Sequence, residues 1–266
     1  EENPDFIRPE TRNNEIGSCV KSGLKDLSIS RSTFDWGVPL PFDEGHVAYV
    51  WADALLAYLT GIGYGDEGER AGEFERRWPM QYHFVGKDIT RFHCVIWPAM
   101  LMAAGMPITH TVFGHGFLLT KGEKMSKSKG NALKPADLCK VFGVDAYRYY
   151  FMSDVQFGAD GSISLERMVQ VYNADLANTW GNLCSRVFNM TKKYFDGAVP
   201  EVPAEVKAKE NPLRAISDGL YAEYDAALAA ADFTRAAAAV QKLASRVNLY
   251  VEESAPWNLA KSEETA

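Results

Sequence analysis

Apolar positions along this chain follow two periods, and the switches between them mark out its elements. After Pro9, Ile16, Val20 and Leu24 fall four residues apart, which predicts a short helix with Gly23 at its end. Leu27 and Ile29 then alternate with polar residues over 26–30, the pattern of a half-buried strand that ends at Arg31. Residues 34–45 are punctuated by proline and glycine and read as a structured loop or edge. Over 46–61 the helical period returns, because Val47, Trp51, Ala54 and Tyr58 are spaced to share one face. A charged, glycine-rich surface loop is expected over 65–79, a strand over 80–85, and a turn at Gly86, Lys87 and Asp88. A helix over 89–104 follows, with Ile89, His93 and Trp97 on one face, and then strands at 112–114 and 117–119. Such alternation predicts a parallel sheet that binds ligands at its carboxyl ends.

Further on, the pattern becomes helical throughout. Pro135 opens a helix that Gly143 closes, Val144 starts another through Met152, and 157–161 is a turn. From Ser164, a candidate cap, apolar residues from Met168 to Val187 keep near-helical spacing. A proline-bearing linker over 197–212 leads to helices at 213–230 and 233–251, joined at Asp232 as an antiparallel pair. The fold class is therefore α/β plus all-α, with domains at 1–159 and 160–266.

Composition narrows the function classes. The chain has 266 residues and a net charge of −7, so any nucleic-acid site must be a local cluster on an acidic body. Cys19, Cys94, Cys139 and Cys184 lie far apart, which indicates neither a disulfide framework nor a zinc site. No apolar run reaches the roughly 18 to 20 residues of a membrane span. The acidic, polar amino terminus carries no visible signal or transit pattern, and a cytoplasmic enzyme is expected.

Candidate chemistry concentrates in GHGFLLTKGEKMSKSKGN, residues 114–131. Its glycines permit backbone change, its lysines supply point charges, and its serines supply donors, as a loop that meets polyphosphate requires. Arg31 is a surface cation or a second phosphate contact, and Asp88 a helix cap, a binder of ribose hydroxyls, or both. Trp51, Tyr58, His93 and Trp97 are either core or the wall of a small apolar pocket whose polar reach is the Tyr58 hydroxyl. In the helical part, Asn182 and Arg186 stand one turn apart, and Pro256 and Trp257 follow the last long helix. They read as a surface cation and a core plug, or as an aromatic platform and polar groups for an unstacked RNA base.

Several stretches resemble one family in order and spacing. SISRSTFDWG, YVWADALLAY, FVGKDITRFH, KMSKS, NADLANTWGNL and the final EESAPW are similar to bacterial-type methionyl-tRNA synthetases, which belong to class I. The resemblance implies the C-terminal half of a Rossmann-like catalytic domain followed by an anticodon-binding helical bundle. It implies a methionine pocket of Trp51, Ala54, Tyr58, Phe92, His93 and Trp97, with Phe92 in an aromatic set that moves on binding. It assigns ATP contacts to Gly86, Asp88, the backbone of Leu118, Lys124, Ser126, Lys127 and Ser128, and catalytic roles to Lys127, Lys124 and Arg31. Asn182, Arg186, Pro256 and Trp257 would read the anticodon.

The implied activity is ATP-dependent formation of methionyl-adenylate and transfer to tRNA(Met), with Mg²⁺ accompanying ATP and L-methionine as substrate. No histidine stands in an H-x-G-H setting, and the family's zinc-bearing connective domain is missing from this sequence. The chain is therefore expected to be one part of an enzyme, with the amino-terminal half as partner. A non-catalytic tRNA-binding remnant and another class I synthetase are the alternatives.

Overall fold

The computed structural model describes residues 3–120, 122–125, 133–207, 209 and 211–261. Two compact units divide the chain at residues 1–116 and 117–266.

In the first unit, β1 (Ile7–Arg8) precedes α1 (Glu10–Lys21), whose one buried residue is Ile16. The expected strand over 26–30 is reduced to β2 (Ser30–Arg31), and Leu27 and Ile29 are exposed. Alternation needs a partner ladder to become a strand, and β4 (Asp43–Ala48), which also pairs with β3 (Pro39–Leu40), meets only Ser30 and Arg31. The same pairing corrects the helix expected over 46–61. His46 to Ala48 are held as strand, and the helix is split into α2 (Val50–Ala54) and α3 (Ala57–Thr60). The loop expected over 65–79 contains α4 (Glu73–Arg77) and a buried Trp78, whose indole Nε1 donates to the Pro107 carbonyl at 3.0 Å.

Next come β5 (Tyr82–Gly86), a 3-10 turn at Lys87–Ile89, a π-helical turn at Phe92–Ile96, α5 (Trp97–Ala103) and β6 (Thr111–His115). The parallel sheet runs β1-β6-β5, with Gly86 opposite His115 at its carboxyl end. Its core joins Ile7, Ile16, Val85, Cys94, Val95 and Val112. A second cluster, Leu55, Leu59, Trp78, Trp97 and Leu101, binds α3 to α5.

The second unit opens with β7 (Leu118–Thr120) and β8 (Glu123–Lys124). Strand 117–119 thus belongs to a separate sheet ordered β8-β7-β9, not to the parallel sheet of the first unit. The predicted helices appear as α6 (Pro135–Phe142), closed by Gly143 at φ +82°, and α7 (Val144–Ser153). After β9 (Gly161–Ser162), the Ser164 hydroxyl caps α8 (Leu165–Val171) by accepting from the Arg167 amide at 3.1 Å. A π-helical run, Tyr172–Gly181, continues into α9 (Asn182–Phe195). The linker holds α10 (Ala204–Lys207), and α11 (Arg214–Ala229) and α12 (Phe233–Ser254) form the helix pair, with the Asp232 carboxylate capping α12. A final turn, α13 (Pro256–Leu259), follows. Leu138, Tyr150, Ile163, Met168 and Val171 form this unit's core. Among the described residues no helix is long and apolar enough to cross a membrane.

Candidate functional site

A cluster of aromatic side chains occupies the first unit beside the parallel sheet. Trp51 of α2 stacks on Phe92 with ring centroids 4.6 Å apart, and meets His93 edge-on at 6.3 Å. Tyr58 of α3 packs against Trp97 at 6.0 Å. These residues approach because α2, α3 and the Phe92–Ile96 turn each present an aromatic to the same side. Wide π turns of that kind are rare and concentrate at functional sites. Ala54 ends α2 and is exposed.

His93 is the polar centre of the cluster, and its protonation follows from its partners. Nδ1 lies 3.0 Å from the carbonyl of Ile89, which can only accept, so Nδ1 carries the proton. Burial holds the imidazole below its ordinary pKa, outweighing that hydrogen bond, so Nε2 is bare near neutrality. The Tyr58 hydroxyl, 2.7 Å away, therefore donates to Nε2, and its own pKa is raised by burial. Its proton is committed within the protein.

His83 also belongs here, although the sequence reading passed it over. On β5 it faces inward with Val85 while Tyr82 and Phe84 are exposed, and its ring lies 4.4 Å from Tyr58 and 5.8 Å from His93. Burial first, then repulsion by His93, lowers its pKa to about 4. The signal was available: in a strand, a histidine two residues before a buried valine shares its inward face.

Arg31 lines an adjoining cleft of about 900 Å³ together with Asp35, Trp36, Tyr49 and Asp53. Its guanidinium sits 3.7 Å from the Tyr49 ring centroid and donates to the carbonyls of Ser28 and Ser30. Gly86 ends β5 at the sheet's carboxyl edge, where an added Cβ would meet the Asp88 carboxylate at 2.7 Å. Asp88 is thus folded back over Gly86. It is not the cap expected of it, since Gly86 holds that position and no side chain caps the turn.

In the second unit the carbonyls of Phe117 and Leu119 accept from the amides of Gly161 in β9 and of Ile163 just after it, at 2.9 and 2.8 Å. Alternation along the strand turns the backbone groups of Leu118 to the other edge. Lys124 holds its ammonium 3.7 Å from the Phe117 ring centroid. Ser126, Lys127 and Ser128 lie outside the described residues.

Asn182 and Arg186 share a face of α9, and Arg186 pairs with Glu252 of α12 at 3.0 Å. Pro256 opens α13 only four residues later, and Trp257 is 40% exposed, which is too open for a core plug. Among the described residues no group of three or more histidine, cysteine or acidic side chains is placed to hold a metal ion.

A parallel sheet with an Asp-bearing turn at its carboxyl end, a lysine-bearing hairpin and a following helical bundle together define the class I tRNA synthetase arrangement. The family profile described as tRNA synthetases class I (M) matches residues 1–188, and the chain belongs to that family. It is 48% identical over 263 residues to methionine-tRNA ligase of Caldanaerobacter subterraneus subsp. tengcongensis, covering 99% of this chain and 41% of that one. It is 49% identical to the Streptomyces coelicolor methionine-tRNA ligase, covering 99% and 48%. Among solved structures, Mycobacterium tuberculosis methionyl-tRNA synthetase in complex with methionyl-adenylate superposes with a TM-score of 0.89 at 46% identity. That match covers 98% of this chain and 51% of the other. The chain thus spans two fifths to about half the length of these relatives.

Proposed function

We propose that this chain carries the methionine side-chain pocket, the lysine loop and the anticodon-reading bundle of a methionine-tRNA ligase, acting with the remaining part of such an enzyme. The carrying observation is the half-buried Tyr58–His93 hydrogen bond packed among Trp51, Phe92 and Trp97, an apolar site with few polar atoms.

In this reading the methionine carboxylate attacks the α-phosphorus of ATP, forming the acyl-phosphate bond as the α–β bridge breaks and pyrophosphate departs. The attacking carboxylate is already ionised, so positioning and electrostatics suffice without a general base. Lys124 and Lys127, with Ser126 and Ser128, stabilise charge growing on pyrophosphate. Asp88, folded over Gly86, takes the ribose hydroxyls, the Leu118 backbone takes the adenine edge, and Arg31 supports activation from the cleft beside α2. Magnesium arrives on the ATP phosphates, consistent with a cation that retains water and needs no protein cage. The acyl group then passes to the terminal adenosine of tRNA(Met), while residues 160–266 act as the anticodon domain through Asn182, Arg186, Pro256 and Trp257.

Titrating the chain with L-methionine while following tryptophan fluorescence tests the pocket. ATP–pyrophosphate exchange with the amino-terminal portion of a relative added tests activation. Binding and exchange driven by methionine support the reading. Exchange driven by another amino acid reassigns the substrate, and binding of tRNA(Met) with neither reduces the chain to an RNA-binding role.

A further inference from the structure

By its sequence the segment 157–161 is a turn, and the fold sets that turn against the root of the lysine-bearing hairpin β7–β8. Phe117, the residue before β7, is held there at both backbone groups. The Asp160 carboxylate accepts from its N–H at 2.8 Å, and the Gly161 amide donates to its carbonyl at 2.9 Å. A Cβ at Gly161 would stand 2.5 Å from Val155 Cγ1, so glycine is what lets the turn close over Val155. The side chain of Phe117 is engaged as well, with the Lys124 ammonium of β8 3.7 Å from its ring centroid. One residue thus ties the turn to both strands of the hairpin.

We propose that Asp160 is a positioning residue for the ATP step, fixing through the Phe117 N–H the stance of the hairpin that presents the Leu118 backbone and Lys124 to the nucleotide. This rests on the methionine-tRNA ligase reading above and deepens its nucleotide side. The two backbone groups of one strand residue point to the same edge, so the Phe117 N–H and carbonyl both face β9. Asp160 therefore takes the place that a main-chain carbonyl would fill at the start of the β7–β9 ladder. A two-stranded hairpin is marginal by itself, and β8 and β9 have two residues each, so every bond at the root counts toward its direction. A carboxylate is the stronger acceptor for such a place, because its bond to N–H is charge-assisted. Removing it frees the Phe117 peptide to rotate, and Leu118, next in the chain, turns with it.

The experiment measures ATP–pyrophosphate exchange by the chain with the amino-terminal portion of a relative added, unaltered and as Asp160→Ala and Asp160→Asn. Alanine removes the acceptor, and asparagine keeps an oxygen that accepts from the same N–H without the charge. Expected for Asp160→Ala is a rise of about three- to tenfold in KM for ATP with KM for methionine unchanged, and for Asp160→Asn a recovery of most of that loss. An unchanged KM for ATP in Asp160→Ala overturns the proposal, as does an equal rise for both substrates or an Asp160→Asn form no better than alanine. Amide hydrogen exchange supplies a test that needs no variant to fold. In the unaltered chain the Phe117 amide should exchange slowly, as a ladder amide does, and exchange at the rate of an open turn also overturns the assignment. Absence of methionine-driven exchange of pyrophosphate by the unaltered pair sinks the ligase reading itself, a result separable from a failed KM split.

Discussion

Tyr58 and His93 form one hydrogen-bonded unit whose direction is set from outside it: the Ile89 carbonyl claims Nδ1 of the imidazole and leaves Nε2 to receive the phenol's proton. The pair is therefore fixed in orientation before any ligand arrives, an arrangement that lowers the ordering cost of binding.

Replacing Tyr58 by phenylalanine keeps the ring contacts and strands a buried imidazole nitrogen. The expected loss is about 1–3 kcal/mol of unfolding free energy. Urea denaturation of the two proteins near neutral pH measures it. Equal stability would show that water readily satisfies Nε2 in the variant.

His83 gives the stability a defined pH dependence. Its folded pKa of about 4 lies below the ordinary histidine value of 6.5, so the unfolded chain takes up a proton first as pH falls. Stability associated with the neutral ring is complete above about pH 6.5 and declines as pH drops toward 4, with a slope on the order of 1 kcal/mol per pH unit in between. His93, also shifted downward by burial, acts in the same direction. Denaturation at pH 7, 6 and 5 should reveal the slope, and His83→Leu should flatten it.

Gly86→Ala tests the Asp88 turn. Gly86 has φ −63°, so the backbone tolerates alanine, and the conflict is solely between the new methyl and the carboxylate. If Asp88 binds ribose, pyrophosphate exchange in the reconstituted enzyme should fall at least tenfold through a raised KM for ATP, with methionine affinity unchanged. A methionine affinity that falls equally would mean the substitution has disturbed the whole sheet edge.

Trp257→Ala should weaken binding of an anticodon stem-loop by about five- to 150-fold, the worth of one stacked base, and Trp257→Phe should recover much of it. Filter binding against a stem-loop of altered anticodon serves as the control. Loss of preference between the two loops is the expected signature, and an equal loss for both points to a structural role instead.

Much of this architecture was legible because local chemistry agreed with long-range packing. Pro135 and Gly143 bracket α6, Ser164 caps α8 as its residue type predicts, and Asp232 makes the expected turn between α11 and α12 while also capping α12. The errors arose where partners decide. Val47 fits a helical stripe with Trp51 equally well as it fits β4, and only the flanking strands settle the matter. Leu27 and Ile29 alternate like a strand yet line an apolar groove with Val95 and Met100. His83 escaped notice because its importance depends on two rings brought to it from 25 residues earlier and ten later, a juxtaposition with no local trace.

The π-helical run Tyr172–Gly181 has a consequence for the residues after it. Within the run the Thr179 hydroxyl bonds the Ala174 carbonyl at 2.9 Å, and the Thr179 carbonyl accepts from the Asn248 amide of α12 at 2.9 Å. A π turn takes up more residues than an α turn, so it changes the rotational phase of everything C-terminal to it. The direction in which Asn182 and Arg186 face is therefore an indexed quantity, set by how many residues the wide run contains. Changing that count by one would re-aim both side chains while leaving each of them, and Glu252 opposite, chemically intact.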